Sequence, residues 1–179
     1  VELATALGHA NLADSWRARR EQFREELLAS IDRVRTQRDL DYLPGAADLG
    51  DFDSTATTVT LDPGGLLDAF PRAVVDATFE RYWQNFEKRK IAAPQDAVYT
   101  PYEIRHVGSF VRLGWKKRAH ALLAFFLADR SPLAWHQWPE VVSHEARARF
   151  VGDLPHGWVG SDFIRSALDL FAYEDRAAR

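Results

Sequence analysis

The 179-residue chain contains no cysteine and no methionine. Without cysteine there can be no disulfide, no thiolate nucleophile and no cysteine-held metal, and the compartment stays unknown. Without methionine, and starting at Val1 with residues that read as mid-protein, the chain is expected to be a fragment of a longer one. No run of about 18 apolar residues occurs, so no membrane-spanning helix is expected. No signal peptide is visible either. Net charge is only −3, with both signs interspersed, which is not the basic footprint of a nucleic-acid binder. The sequence has no P-loop, GxGxxG, GxSxG or HExxH motif. Nucleotide cofactors, serine-hydrolase chemistry and a zinc site therefore have no support, and no cofactor or metal is expected.

What is present is enough apolar material for a substantial core: 46% hydrophobic residues and 12% aromatic. The length suits one domain spanning residues 1–179. Five helices are expected. The first runs from about Asn11 to Arg38, with Leu12, Trp16, Phe23, Leu27, Ile31 and Val34 on one face and a mixed-charge stripe opposite. The second spans Pro71 to Lys90, with Val75, Phe79, Tyr82 and Phe86 as its apolar stripe. The third opens on Thr100-Pro101-Tyr102-Glu103, a capping box with proline at the first helical position, and stops at Gly114. The fourth runs from Trp115 to Arg130. The fifth begins near Trp158 and carries Phe163, Ile164, Ala167, Leu168 and Phe171. Thr57–Leu61 (TTVTL) is expected to form a short strand or hairpin edge. The fold class is thus all-α, with at most a short β-hairpin. Gly114 makes a tight turn between the third and fourth helices, while the connections 39–69 and 131–157 are longer than packing requires.

Chemistry concentrates in 131–165, which holds three of the six tryptophans and three of the six histidines. Indoles stack on sugar rings and carboxylates move protons, so this loop reads as a sugar site. Glu140, beside Trp135 and Trp138 and fixed by Pro139, is the leading proton-transfer group. The bland alternative is a surface glutamate paired with Arg147 or Arg149. Asp153 is either a sugar contact or a helix-start residue that binds backbone N–H groups. His156 and Trp158 flank Gly157 and are expected to face one cleft. Trp135 and Trp138 are read as ligand platforms, whereas Trp16, Trp83 and Trp115 are read as core. Tyr102, Arg105 and His106 are further candidate contacts; for Arg105 and His106 a nearby carboxylate is the alternative partner. Glu103 is accounted for by the capping box. Asp48, Asp51, Asp53, Ser54 and Thr55 form a hydroxyl-rich rim that lacks the order of a calcium loop.

Four motifs carry a resemblance: Gly50-Asp51-Phe52-Asp53-Ser54-Thr55, Thr100-Pro101-Tyr102-Glu103, Trp138-Pro139-Glu140 and Gly152-Asp153-Leu154-Pro155-His156-Gly157-Trp158. In this order the chain resembles the C-terminal half of a bacterial six-hairpin glycosidase, the α-L-rhamnosidase-like (α/α)6 toroids. The resemblance implies a partial toroid of about three helical hairpins, with long loops at one end, that acts on a carbohydrate. It implies Glu140 as general base and His156 and Trp158 as sugar-subsite residues, with the general acid in the missing N-terminal half. Such a half-toroid is expected to expose apolar surface where the missing hairpins would pack. A non-catalytic helical module that binds a glycan or a protein is the alternative, and a toroid lyase or phosphorylase is a third reading.

Overall fold

The computed structural model describes residues 1–91, 98–130, 132–143 and 152–173. The described residues are mostly helical, with one two-stranded antiparallel β pair. None of the described helices is long and apolar enough to cross a membrane. The chain divides into two compact units, Val1–Phe52 and Asp53–Arg179.

In the first unit, α1 (Glu2–Ala6) leads into α2 (Ala10–Arg38). No glycine or proline interrupts α2, and its many Ala, Leu, Arg and Glu residues lose little side-chain freedom in a helix. The helix ends at Asp39, which is left-handed at φ 51°, and Leu40 N–H closes on Arg35 O at 2.9 Å. The following loop folds back on the helix end. Arg38 donates to Leu49 O (3.0 Å) and to Asp48 O, and the Tyr42 hydroxyl donates to Gly50 O (2.8 Å). The predicted apolar face is not a core here. Ala13 is the buried residue of α2, Trp16 is 47% exposed, Phe23 is exposed, and Leu27, Ile31 and Val34 are half-buried. Its own unit offers this helix only a short α1 and a loop, too little to cover a stripe of that length.

In the second unit, the expected strand at Thr57–Leu61 is helical: α3 spans Ala56–Val59. Asp53 Oδ1 accepts from the N–H groups of Thr55 (2.8 Å) and Ala56 (2.5 Å), and Thr57 Oγ1 accepts from Asp53 N–H (2.9 Å). These local side-chain bonds override the β preference of threonine and valine. The β pair lies elsewhere, between β1 (Val98–Tyr99) and β2 (Val142–Ser143), with Val98 opposite Ser143 and Tyr99 opposite Val142.

The helix α4 (Arg72–Ile91) buries Val75, Phe79, Tyr82 and Phe86, the stripe its spacing predicts. The third predicted helix starts as a 3-10 turn, Pro101–Arg105, before continuing as α5 (His106–Arg112). Thr100 Oγ1 accepts from Tyr102 N–H (3.4 Å), but Glu103 does not reach back to complete the capping box. Its carboxylate turns into the core, where Arg89 donates two bonds of 2.9 Å and the Tyr82 hydroxyl one of 3.0 Å. A buried guanidinium that needs a bidentate acceptor outcompetes a cap whose N–H can use water.

At Gly114 (φ 78°) the chain turns, and Trp115 N–H bonds Phe110 O at 2.8 Å before α6 (Lys116–Ala128). The hairpin α5–α6 forms as its sequence predicts. Between them and α4, Phe79, Phe86, Phe110, Leu122 and Phe126 are fully buried, each contributing roughly 1.5–3 kcal/mol by removal from water. Finally α7 (Gly157–Asp169) packs on the Pro101–Arg105 turn and on α5.

Candidate functional site

Three segments that are distant in sequence meet where α5 and α7 begin. The Thr100 hydroxyl donates to Glu140 O (2.8 Å), Glu140 N–H donates to Asp153 O (3.0 Å), and His156 N–H donates to Trp138 O (3.0 Å). Gly152, at φ 88°, is required by this convergence: a Cβ there would lie 2.6 Å from the Glu140 Cβ. The Trp138-Pro139-Glu140 segment is anchored by Trp138, which is 2% exposed, donates its indole N–H to Phe126 O (2.9 Å) and packs on Phe163. Trp138 is therefore a packing residue, and the expectation that it forms a sugar wall is corrected. Its single polar atom is used by the core, and its ring has no open face.

The side chains brought together are Tyr102, His156 and Trp158, with the Glu140 charge acting on the Tyr102 phenol. The Tyr102 hydroxyl is hydrogen-bonded to His156 Nε2, and the two rings stand edge to face at 5.2 Å. Trp158 lies 6.3 Å from Tyr102 and 6.0 Å from His156 and is 72% exposed, so its indole is open to a ligand. Asp153 is exposed, with its carboxylate 3.8 Å from His156 Nδ1. Desolvation, with the Glu140 charge next, raises the Tyr102 phenol above its usual range, so the group is a hydroxyl at neutral pH. Arg105 does pair with a carboxylate: it grips Asp162 through Nε (3.1 Å) and Nη2 (2.9 Å), and Nε also donates to Tyr102 O (3.0 Å).

The other predicted residues lie elsewhere. Trp135 is exposed on the separate 3-10 turn Leu133–Trp135. Asp51 belongs to the first unit, where its carboxylate accepts from Ala46 N–H (3.1 Å). Asp53 caps the α3 turn. His106 neither meets a carboxylate nor reaches the surface. It is fully buried, with Nε2 2.6 Å from Ser54 O and 3.2 Å from the Thr58 hydroxyl, and Nδ1 without a hydrogen-bond partner among the described residues. Burial pushes its pKa down to about 3. Arg147 and Arg149, the alternative partners for Glu140, lie outside the described residues. Among the described residues no group of three His, Asp or Glu side chains is placed to share a metal ion.

Sequence reasoning missed the polar seam that holds α7. Besides Arg105–Asp162, the Ser109 hydroxyl donates to Asp62 (2.8 Å), Arg165 donates to the same carboxylate (3.1 Å), and Arg112 grips Asp169 through two nitrogens. The Ser166 hydroxyl reaches Ile104 O (3.2 Å). Gly108 admits the Arg112–Asp169 pair, since a Cβ there would sit 2.5 Å from Asp169 Oδ2. Burial raises the Asp162 carboxyl against the pull of Arg105. The signal was available in the spacing: Arg105, Ser109 and Arg112 share one helical face, as do Asp162, Arg165, Ser166 and Asp169. With its charged face turned inward, α7 exposes Ile164 and Leu168; Trp158 in its first turn and Phe171 just past its end are exposed as well.

Comparison with known proteins returns no match to this chain, whether among family models, curated proteins or solved structures.

Proposed function

We propose that this chain forms part of a carbohydrate-active site, in a glycoside hydrolase with Glu140 as general base. The observation that carries the reading is the convergence of Tyr102, Glu140, His156 and Trp158 from three distant segments. An open indole, a tyrosine, an imidazole and a carboxylate at one place supply what a sugar needs: a stacking face and hydrogen-bonding groups beside a proton acceptor. An inverting mechanism would set a second carboxyl group about 6.5–9.5 Å from the first, with a water between them. Partial-toroid architecture is the matching proposal for the fold. It is supported by the exposed Ile164 and Leu168 on α7 and Phe171 just after it, a surface that further helical hairpins would cover.

One observation favours a non-catalytic glycan-binding module instead. Asp153, the second carboxylate of the cluster, has 83% of its side chain exposed and so lacks the desolvation that tunes a catalytic acid. Glu140→Gln in the full-length protein separates the two. Loss of sugar release with glycan binding retained supports the hydrolase; unchanged turnover removes Glu140 as the base. Binding with no released sugar from wild type on any glycoside tested supports the module.

A further inference from the structure

His156 sits between two oxygen partners, the Tyr102 hydroxyl at Nε2 and the Asp153 carboxylate 3.8 Å from Nδ1. A neutral imidazole has one proton to place, and an ionised carboxylate can only accept. At 3.8 Å that carboxylate lies beyond hydrogen-bond reach, but its charge favours the proton on Nδ1, which leaves Nε2 to accept from the Tyr102 hydroxyl. The segment is held in place: the His156 backbone N–H is tied to Trp138 O at 3.0 Å, and the Tyr102 and Trp158 rings flank the imidazole. The other charged groups facing the pair are Glu140, Asp162 and Arg105. Arg105 is taken up by Asp162 and by Tyr102 O, so the charges left for a ligand among these residues are the carboxylates of Glu140 and Asp153.

We propose that His156 is a positioning residue that turns the Tyr102 hydroxyl proton inward, so that Tyr102 meets a ligand as a hydrogen-bond acceptor. With the two carboxylates, the described part of the site is then a set of acceptors. That set selects a neutral polyhydroxyl compound, whose hydroxyls donate, and disfavours a carboxylate, phosphate or sulfate. Protonating His156 reverses the arrangement: the ring takes a proton from solvent at Nε2, donates it to the Tyr102 oxygen, and frees the phenol proton toward the ligand. The ligand class rests on the carbohydrate reading above; the direction of the Tyr102–His156 bond rests on the geometry alone.

The test is the two-bond proton–nitrogen spectrum of the imidazoles in the nitrogen-15-labelled full chain at pH 8, with His156 assigned by its loss in His156→Gln. The expected result is an Nδ1–H tautomer at His156 and an Nε2 signal that moves in Tyr102→Phe. An Nε2–H tautomer in the wild type overturns the proposal, whether or not the variant folds. Unchanged His156 signals in a Tyr102→Phe protein with a native amide spectrum overturn it equally. Glucuronate is expected to perturb the His156 signals no more than glucose does at equal concentration, and a stronger effect of glucuronate overturns the ligand class. Because the tautomer is read without substrate, a Glu140→Gln result against hydrolysis would leave the bond direction standing.

Discussion

The buried His106 makes the stability of the second unit depend on acid in a calculable way. Its Nε2 faces a carbonyl oxygen, Ser54 O, so the proton of the neutral ring sits on Nε2, and Nδ1 has no hydrogen-bond partner among the described residues. Desolvation dominates its titration, opposed by the bond to Ser54 O and reinforced by Arg105, Arg165 and Arg89, and the pKa falls from 6.5 to about 3. An unfolded chain takes up this proton near 6.5, whereas the folded one takes it up only near 3. Between those values the unfolded state binds more protons, so stability is complete above 6.5 and is lost as the pH falls toward 3. At about 1.4 kcal/mol per pH unit, the loss from this group is ~2 kcal/mol at pH 5 and approaches ~5 kcal/mol below pH 3.

Urea unfolding followed by tryptophan fluorescence reports mainly on this unit, since five of the six tryptophans lie in 53–179. Wild type and His106→Gln are compared at pH 8, 6.5 and 5. The glutamine amide can still donate to Ser54 O but cannot take up a proton, so it is expected to be less stable at pH 8 and to have a flatter pH dependence. Carboxylates common to both proteins cancel in the difference. The wild type should lose ~2 kcal/mol more than the variant between pH 8 and pH 5. Parallel curves would refute the argument, because a histidine that titrates normally in the folded state adds no slope of its own.

Glu103→Gln or Arg89→Met alone should cost roughly 3–5 kcal/mol in urea unfolding, because each strands a buried partner, whereas the double change should cost less than either; singles that are each near neutral would mean the pair is not buried as described. Gly108→Ala should cost about 1–3 kcal/mol by pressing on Asp169 and shifting α7, and an unchanged urea midpoint would show that the helices have room to spare. Trp138→Ala should cost roughly 3–5 kcal/mol of stability, while Trp158→Ala should stay within about 0.5 kcal/mol and lose glycan binding instead. Equal effects of the two on stability would overturn their separation into core and site.

The helices were legible where hydrophobic spacing and burial agree, as in α4, where Val75, Phe79, Tyr82 and Phe86 are all inside. Reading failed where local hydrogen bonding or long-range charge decides the outcome. Thr57–Leu61 has strand composition, yet Asp53 caps it into a turn. Glu103 has capping-box spacing, yet the buried Arg89 claims it. The same competition explains α7. Hydrophobic periodicity assigns the apolar face of a helix to the core only if its polar face must stay in water. Here Asp162, Arg165 and Asp169 meet Arg105, Asp62 and Arg112, so the polar face can be buried beside Val159 and Phe163, and Ile164 and Leu168 turn outward.

That reversal bears directly on the site. The residues proposed for the site, Glu140, His156 and Trp158, stand out in the sequence because their chemistry is concentrated in one loop. What sets Tyr102 opposite His156 is the seam, whose signal in the sequence is far fainter. Arg105 ties the turn that carries Tyr102 to Asp162, one turn into α7, and His156 and Trp158 stand at the start of that helix. A charge pair between residues 57 positions apart leaves no local pattern, only complementary spacing on two helices. The candidate site thus depends on ion pairs that touch no ligand. Loosening the seam should disturb the Tyr102–His156 contact before it disturbs the aromatic core around Phe79 and Phe110, which α4, α5 and α6 hold without α7.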